Sequence, residues 1–142
     1  MPPTVRRRLI CLAIMLLLTP VGLLCRFVPI GLPQVIVKYG GSFLWAAMVY
    51  WLIAFLFARL PSDMIGLIAL FISAGVEFLK RIQAPALDSF RNTFAGKVLL
   101  GRYFSYTDIA VYWFAVVCAV WIDRTAIRHA QASRNKIFIN GS

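Results

Sequence analysis

Residues 41–57 read GSFLWAAMVYWLIAFLF, an apolar stretch that meets no charge before Arg59. A helix crossing ~30 Å of hydrocarbon needs about 20 such residues at ~1.5 Å each, and this run with its flanks supplies them. Three more runs qualify: Leu9 to Phe27, Met64 to Ile82, and Ser105 to Asp123. With 61% apolar residues, 14% charged residues and a mean hydropathy of +0.81, the chain is too hydrophobic for a soluble domain. The expected fold is all-α: one membrane domain over residues 1–142, an integral bundle of four transmembrane helices.

The connections are marked. Pro29, Gly31 and Pro33 break the chain after the first run, and Pro61-Ser62-Asp63 stops the second and offers an N-cap to the third. Thr19-Pro20 predicts a kink in the first helix, because proline removes a backbone donor. Arg6, Arg7 and Arg8 before an apolar run resemble the start of a signal peptide. No small-x-small site follows, and Leu23-Leu24 before Cys25 lacks the small residue that precedes a lipidated cysteine, so an uncleaved span is expected. Cys11, Cys25 and Cys118 are odd in number and sit in or beside spans, which fits apolar packing and not a disulfide framework. The tail from Thr125 to Ser142 is polar and basic, a composition compatible with disorder.

The net charge is +10, but Lys and Arg lie at the ends of hydrophobic runs, where they meet lipid head groups; nucleic acid is not the expected partner. Orientation is a near tie. The Arg6–Arg8 triplet and the basic tail favour both termini on the cytoplasmic side. Lys80, Arg81, Arg91, Lys97 and Arg102 are then retained outside against the usual bias, and an anionic ligand is the simplest reason.

Depth sharpens this. Glu77 lies about 7 Å below the Ile82 end of its helix, and Asp108 about 6 Å below the start of the next, antiparallel one, so both acids fall in the same leaflet. Lys80 and Arg81 share the face of Glu77. Between the third and fourth spans, Leu87, Phe90 and Phe94 recur at helical spacing with Asp88 and Arg91 on other faces, which predicts a short interfacial amphipathic segment whose Arg91 leans over the acids. Plainer roles compete with a site. Ser105-Tyr106-Thr107-Asp108 has capping-box spacing, Glu77 can be half of an intrahelical ion pair, and Tyr112 and Trp45 suit packing.

The string from Leu87 to Tyr112, with Arg91, Gly96, Leu100-Gly101-Arg102, Phe104-Ser105 and Asp108, resembles a family of small bacterial membrane proteins of unknown function. That family is related in pattern to the VanZ-like proteins, named for a glycopeptide-resistance accessory protein. The resemblance covers roughly Lys38 to Asp123. Glu77 matches the VanZ-like acid of the third span, Arg102 the loop arginine, and Asp108 the acid opening the last span. Lys80, Tyr112 and Ala115 depart from the usual Gln, Asn and Gly, and the uncharacterised family accommodates Tyr112 better. The resemblance implies a protein of the bacterial cytoplasmic membrane with a polar site between its last two spans.

The candidate ligand-binding residues are therefore Glu77, Lys80, Arg81, Arg91, Arg102, Ser105, Asp108 and Tyr112. The first expectation is a binding module in which Arg91, Arg102 and Lys80 hold the phosphate or carboxylate of an anionic lipid or lipid-linked glycan. The second is an enzyme whose Glu77 and Asp108 divide acid and base roles. The third is a proton-coupled transporter or assembly subunit, oligomeric through small-residue pairs such as Ala54 with Ala58 and Ala115 with Ala119. His129, the sole histidine, lies in the tail; no cofactor, zinc spacing or glycine-rich phosphate loop is expected, and no catalytic residue is assigned.

Overall fold

The computed structural model describes residues 2–27, 31, 33–100 and 104–140, with side chains except at 26, 27, 98 and 127–140. Six helices account for them: α1 (Pro3–Phe27), α2 (Gln34–Leu56), α3 (Ser62–Leu79), α4 (Pro85–Asn92), α5 (Phe94–Leu99) and α6 (Tyr106–Asn140). Four of these, α1, α2, α3 and the first part of α6, are long and apolar enough to cross a membrane.

Prolines set the boundaries. Pro33 and Pro61 stand just before α2 and α3, and Pro85 opens α4, where its missing N–H costs nothing. Gly31 turns the chain with a φ of +68°, while Pro29 lies outside the described residues. α1 begins six residues earlier than the apolar run, with its arginines inside the helix, and α6 extends past the apolar run to Asn140.

α2, α3 and α6 pack mutually, and α1 lies along α2. Their shared core contains Cys11, Tyr50, Trp51, Ile65, Ala69, Val116 and Ala119. Ala54, Ala58, Ala115 and Ala119, read as faces for a second copy, are all buried within the single chain and serve its own helix packing. Large apolar side chains point outward instead, Leu17 at 69% exposure and Phe71 at 79%, as a lipid-facing surface requires.

At Gly66, α3 packs closely against α6. A Cβ there would fall 2.7 Å from Val120 Cγ2 and 3.7 Å from Val116 Cγ1. Gly66→Ala should therefore lower stability in detergent by ~1–3 kcal/mol through overpacking, read as a shift in thermal unfolding. An unchanged transition would mean that the two helices are not in contact at this point.

The segment expected to be one amphipathic helix is two, α4 and α5. Thr93 ends α4 and caps α5: its hydroxyl donates to Phe90 O (2.6 Å) and accepts from Gly96 N–H (3.1 Å). The reversal is so tight that a Cβ on Gly96 would come within 1.9 Å of the Phe90 carbonyl oxygen, so glycine is required.

Candidate functional site

Polar side chains gather at the two ends of the bundle. At the end bearing α4 and α5, Glu77 sits in the last turn of α3, fully buried. Its Oε1 accepts the Ser105 N–H (2.7 Å), and its Oε2 accepts the Tyr112 hydroxyl (2.9 Å) and the Lys80 ammonium. One carboxylate thus joins the α3 C-terminus to the start of α6 and holds a cation beside itself. Accepting an amide just ahead of α6 also places its negative charge at that helix's positive end.

The capping box expected at Ser105 is superseded. Its reciprocal bond needs Asp108 to reach the Ser105 N–H, and Glu77 takes that donor. Asp108, one turn before Tyr112 on α6, is buried at 4% exposure. Ser42 of α2 stands beside both Asp108 and Tyr112, and the Tyr112 ring packs on Trp45 with centroids 5.4 Å apart. Asp108 Oδ1, Trp45 Nε1 and Ser73 Oγ are buried with no partner among the described residues. Three helices therefore converge on a buried polar cluster whose hydrogen-bonding capacity is only partly used among the described residues.

Arg91 does not lean over the acids. Its guanidinium is 6% exposed, donating to Leu79 O at the end of α3 (2.6 Å) and to Asp88 (2.8 Å). It fastens the amphipathic arm to the α3 terminus, where a cation meets carbonyls the helix leaves unpaired. Arg81 is exposed, with its guanidinium carbon 5.0 Å from the Phe104 ring centre; Phe104 in turn packs between Phe78 and Tyr106. Arg102 lies outside the described residues. Of the predicted set, then, Glu77, Lys80, Ser105, Asp108 and Tyr112 form one cluster, Arg91 braces the arm, and Arg81 stands at the rim.

The opposite end carries a network that the sequence reading did not foresee. Asp123 of α6, 2% exposed, accepts hydrogen bonds from Tyr50 of α2 (2.8 Å), Ser62 of α3 (2.8 Å) and Arg7 of α1 (2.5 Å). Arg7 also donates to the carbonyls of Ala58 (3.0 Å) and Leu60 (2.6 Å). Ser62 makes no side-chain cap for α3, because buried Asp123 claims its hydroxyl. Exposed Arg124 and Asp63 pair nearby. Arg7 had been read only as part of a basic triplet, and its partner lies 116 residues away. Ser42 and Ser73 were missed too, although Ser73 stands one turn before Glu77 on the same face of α3.

A family model described as "Protein of unknown function (DUF2809)" matches residues 31–116. The chain belongs to this family. The match spans every described residue of the Glu77 cluster; of the opposite network it takes in Tyr50 and Ser62 but neither Arg7 nor Asp123. Nothing in the match links the DUF2809 family to the VanZ-like proteins. No solved structure matches the chain.

Proposed function

We propose that this membrane protein binds the anionic head group of a lipid or lipid-linked glycan at its α4–α5 end, in the outer leaflet of a bacterial cytoplasmic membrane with both termini inside. The observation that carries the reading is the contrast between Glu77 and Arg81. Glu77 is buried and neutralised by Lys80 and two further donors, whereas Arg81 presents its guanidinium at the rim over Phe104. An approaching phosphate meets the exposed Arg81 charge, with Glu77 and Asp108 buried and the exposed Asp88 carboxylate paired with Arg91, and the planar guanidinium fork suits it. Arg102, two residues before Phe104 in the chain, is the second cation assigned to the ligand; Arg91 and Glu77 act as its frame.

The order Glu77, Gly101-Arg102, Asp108 is also what suggests a relation to the VanZ-like proteins, from which no substrate is carried over. Arg81→Ala with Arg102→Ala should strip co-purifying anionic lipid, read by mass spectrometry of the purified protein. Unchanged lipid content would sink the proposal.

One observation favours a second reading, an acid/base enzyme or proton-coupled transporter. Asp108 Oδ1 is buried beside Glu77 without a partner among the described residues. Asp108→Asn would then abolish lipid turnover or pH-driven transport in proteoliposomes while leaving lipid binding intact.

A further inference from the structure

On the far side of Trp45 from Tyr112, α1 and α2 part to leave a groove of about 60 Å³ between Leu18, Gly22 and Leu23 on one side and Gly41, Leu44 and Met48 on the other. That is several times the ~10–15 Å³ that a single water needs. Glycine creates the space: a Cβ placed on Gly41 would meet nothing within 4 Å, and one on Gly22 would only touch Leu44 at 3.8 Å. The groove opens beside exposed Leu17, Val21 and Leu24, at membrane depth.

Water is a poor occupant, because a buried water needs two to four polar partners. The hydroxyl on the wall, Thr19, already donates to Met15 O at 2.7 Å, and the Trp45 indole N–H, without a partner among the described residues, is a single donor. Lipid chains are the surrounding medium, and an apolar groove open to them fills with one. Charge then selects the lipid. Lys38 is exposed and stands one turn before Gly41; Lys38, Gly41, Trp45 and Met48 follow at spacings that keep them on one face of α2. A chain lying along Gly41 and Met48 therefore has its head group carried toward the lysine ammonium, which reaches for the interface.

We infer that the α1–α2 groove is an anionic phospholipid site, taking one acyl chain between Gly22 and Gly41 and the head-group phosphate at Lys38. It adjoins the Glu77 cluster, since Trp45 of the groove packs on Tyr112 and the Lys38 charge acts on Asp108, but it takes its lipid with a different cation from Arg81.

Trp45 lines the groove and serves as the reporter. A protein with Trp51→Phe, Trp113→Phe and Trp121→Phe, reconstituted in phosphatidylcholine vesicles, keeps Trp45 as its sole tryptophan. A small fraction of phosphatidylglycerol brominated in its acyl chains should quench Trp45 about fivefold more effectively than the same fraction of brominated phosphatidylcholine, the preference one lysine gives near an anionic lipid. Lys38→Ala, a surface change that spares the fold, should remove that preference and leave the two lipids equal. Gly41→Leu should fill the groove and cut quenching by both. Equal quenching by the two lipids in the parent protein, or a preference that survives Lys38→Ala, would overturn the inference. Loss of the preference on Arg81→Ala with Lys38 intact would overturn it as well, by placing the anionic lipid at the other site.

Discussion

Arg7→Ala should cost the bundle about 3–5 kcal/mol, the range expected when one partner of a buried ion pair is removed and the other is left uncompensated. Asp123 would remain 2% exposed with only the Tyr50 and Ser62 hydroxyls for company, and the Ala58 and Leu60 carbonyls would lose their donor. α1 would suffer most, since it packs chiefly along α2 and reaches α6 through this contact. Unfolding in detergent should show the loss, and protease access to the α1–α2 connection should rise. The triple variant Arg7→Met, Asp123→Leu and Tyr50→Phe should regain part of the stability, because it removes the uncompensated charge and one of the hydroxyls that would lose its acceptor. A triple variant as unstable as Arg7→Ala would show that the residues matter for reasons other than their charges.

Glu77→Ala should be nearly as damaging, at the other end. It strands the Ser105 N–H, the Tyr112 hydroxyl and a Lys80 side chain that is only 8% exposed. Each unsatisfied buried donor costs ~1–3 kcal/mol, less for Lys80 because its ammonium can swing toward the interface. Adding Tyr112→Phe should recover part of the loss by removing one stranded donor. Glu77→Gln should fall between, since its amide keeps an acceptor for Ser105 but opposes a donor to Tyr112 and Lys80. If Glu77→Ala unfolds no more readily than the parent, the carboxylate is not the joint between α3 and α6.

These two residues also show what could be read from the chain itself. The four spans follow from runs such as 41–57, and counting depth from the helix ends placed Glu77 and Asp108 in one leaflet, where the structure has them near one another. Local periodicity carries that information. The Arg7 contact could not be read, because nothing in a basic triplet singles out the residue that turns inward toward Asp123. Arg91 escaped for a different reason: its acceptor is the Leu79 backbone carbonyl, which leaves no trace in side-chain chemistry. The break at Thr93 depended on a three-residue cap and on Gly96 meeting the Phe90 carbonyl, a geometry that helical spacing of Leu87, Phe90 and Phe94 concealed.

The same separation bears on function. Sequence order grouped Lys80, Arg81, Arg91 and Arg102 as ligand-binding candidates, whereas the fold commits Lys80 to Glu77 and Arg91 to Leu79 and Asp88. That leaves the head-group proposal resting on Arg81 at the rim and on Arg102. It stands or falls on an experimental density map of the protein in nanodiscs containing anionic phospholipid. The predicted result is phosphate-sized density in contact with the Arg81 and Arg102 guanidinium groups beside Phe104. Both arginines turned away to protein carboxylates, with no lipid density at the α4–α5 end, would contradict it.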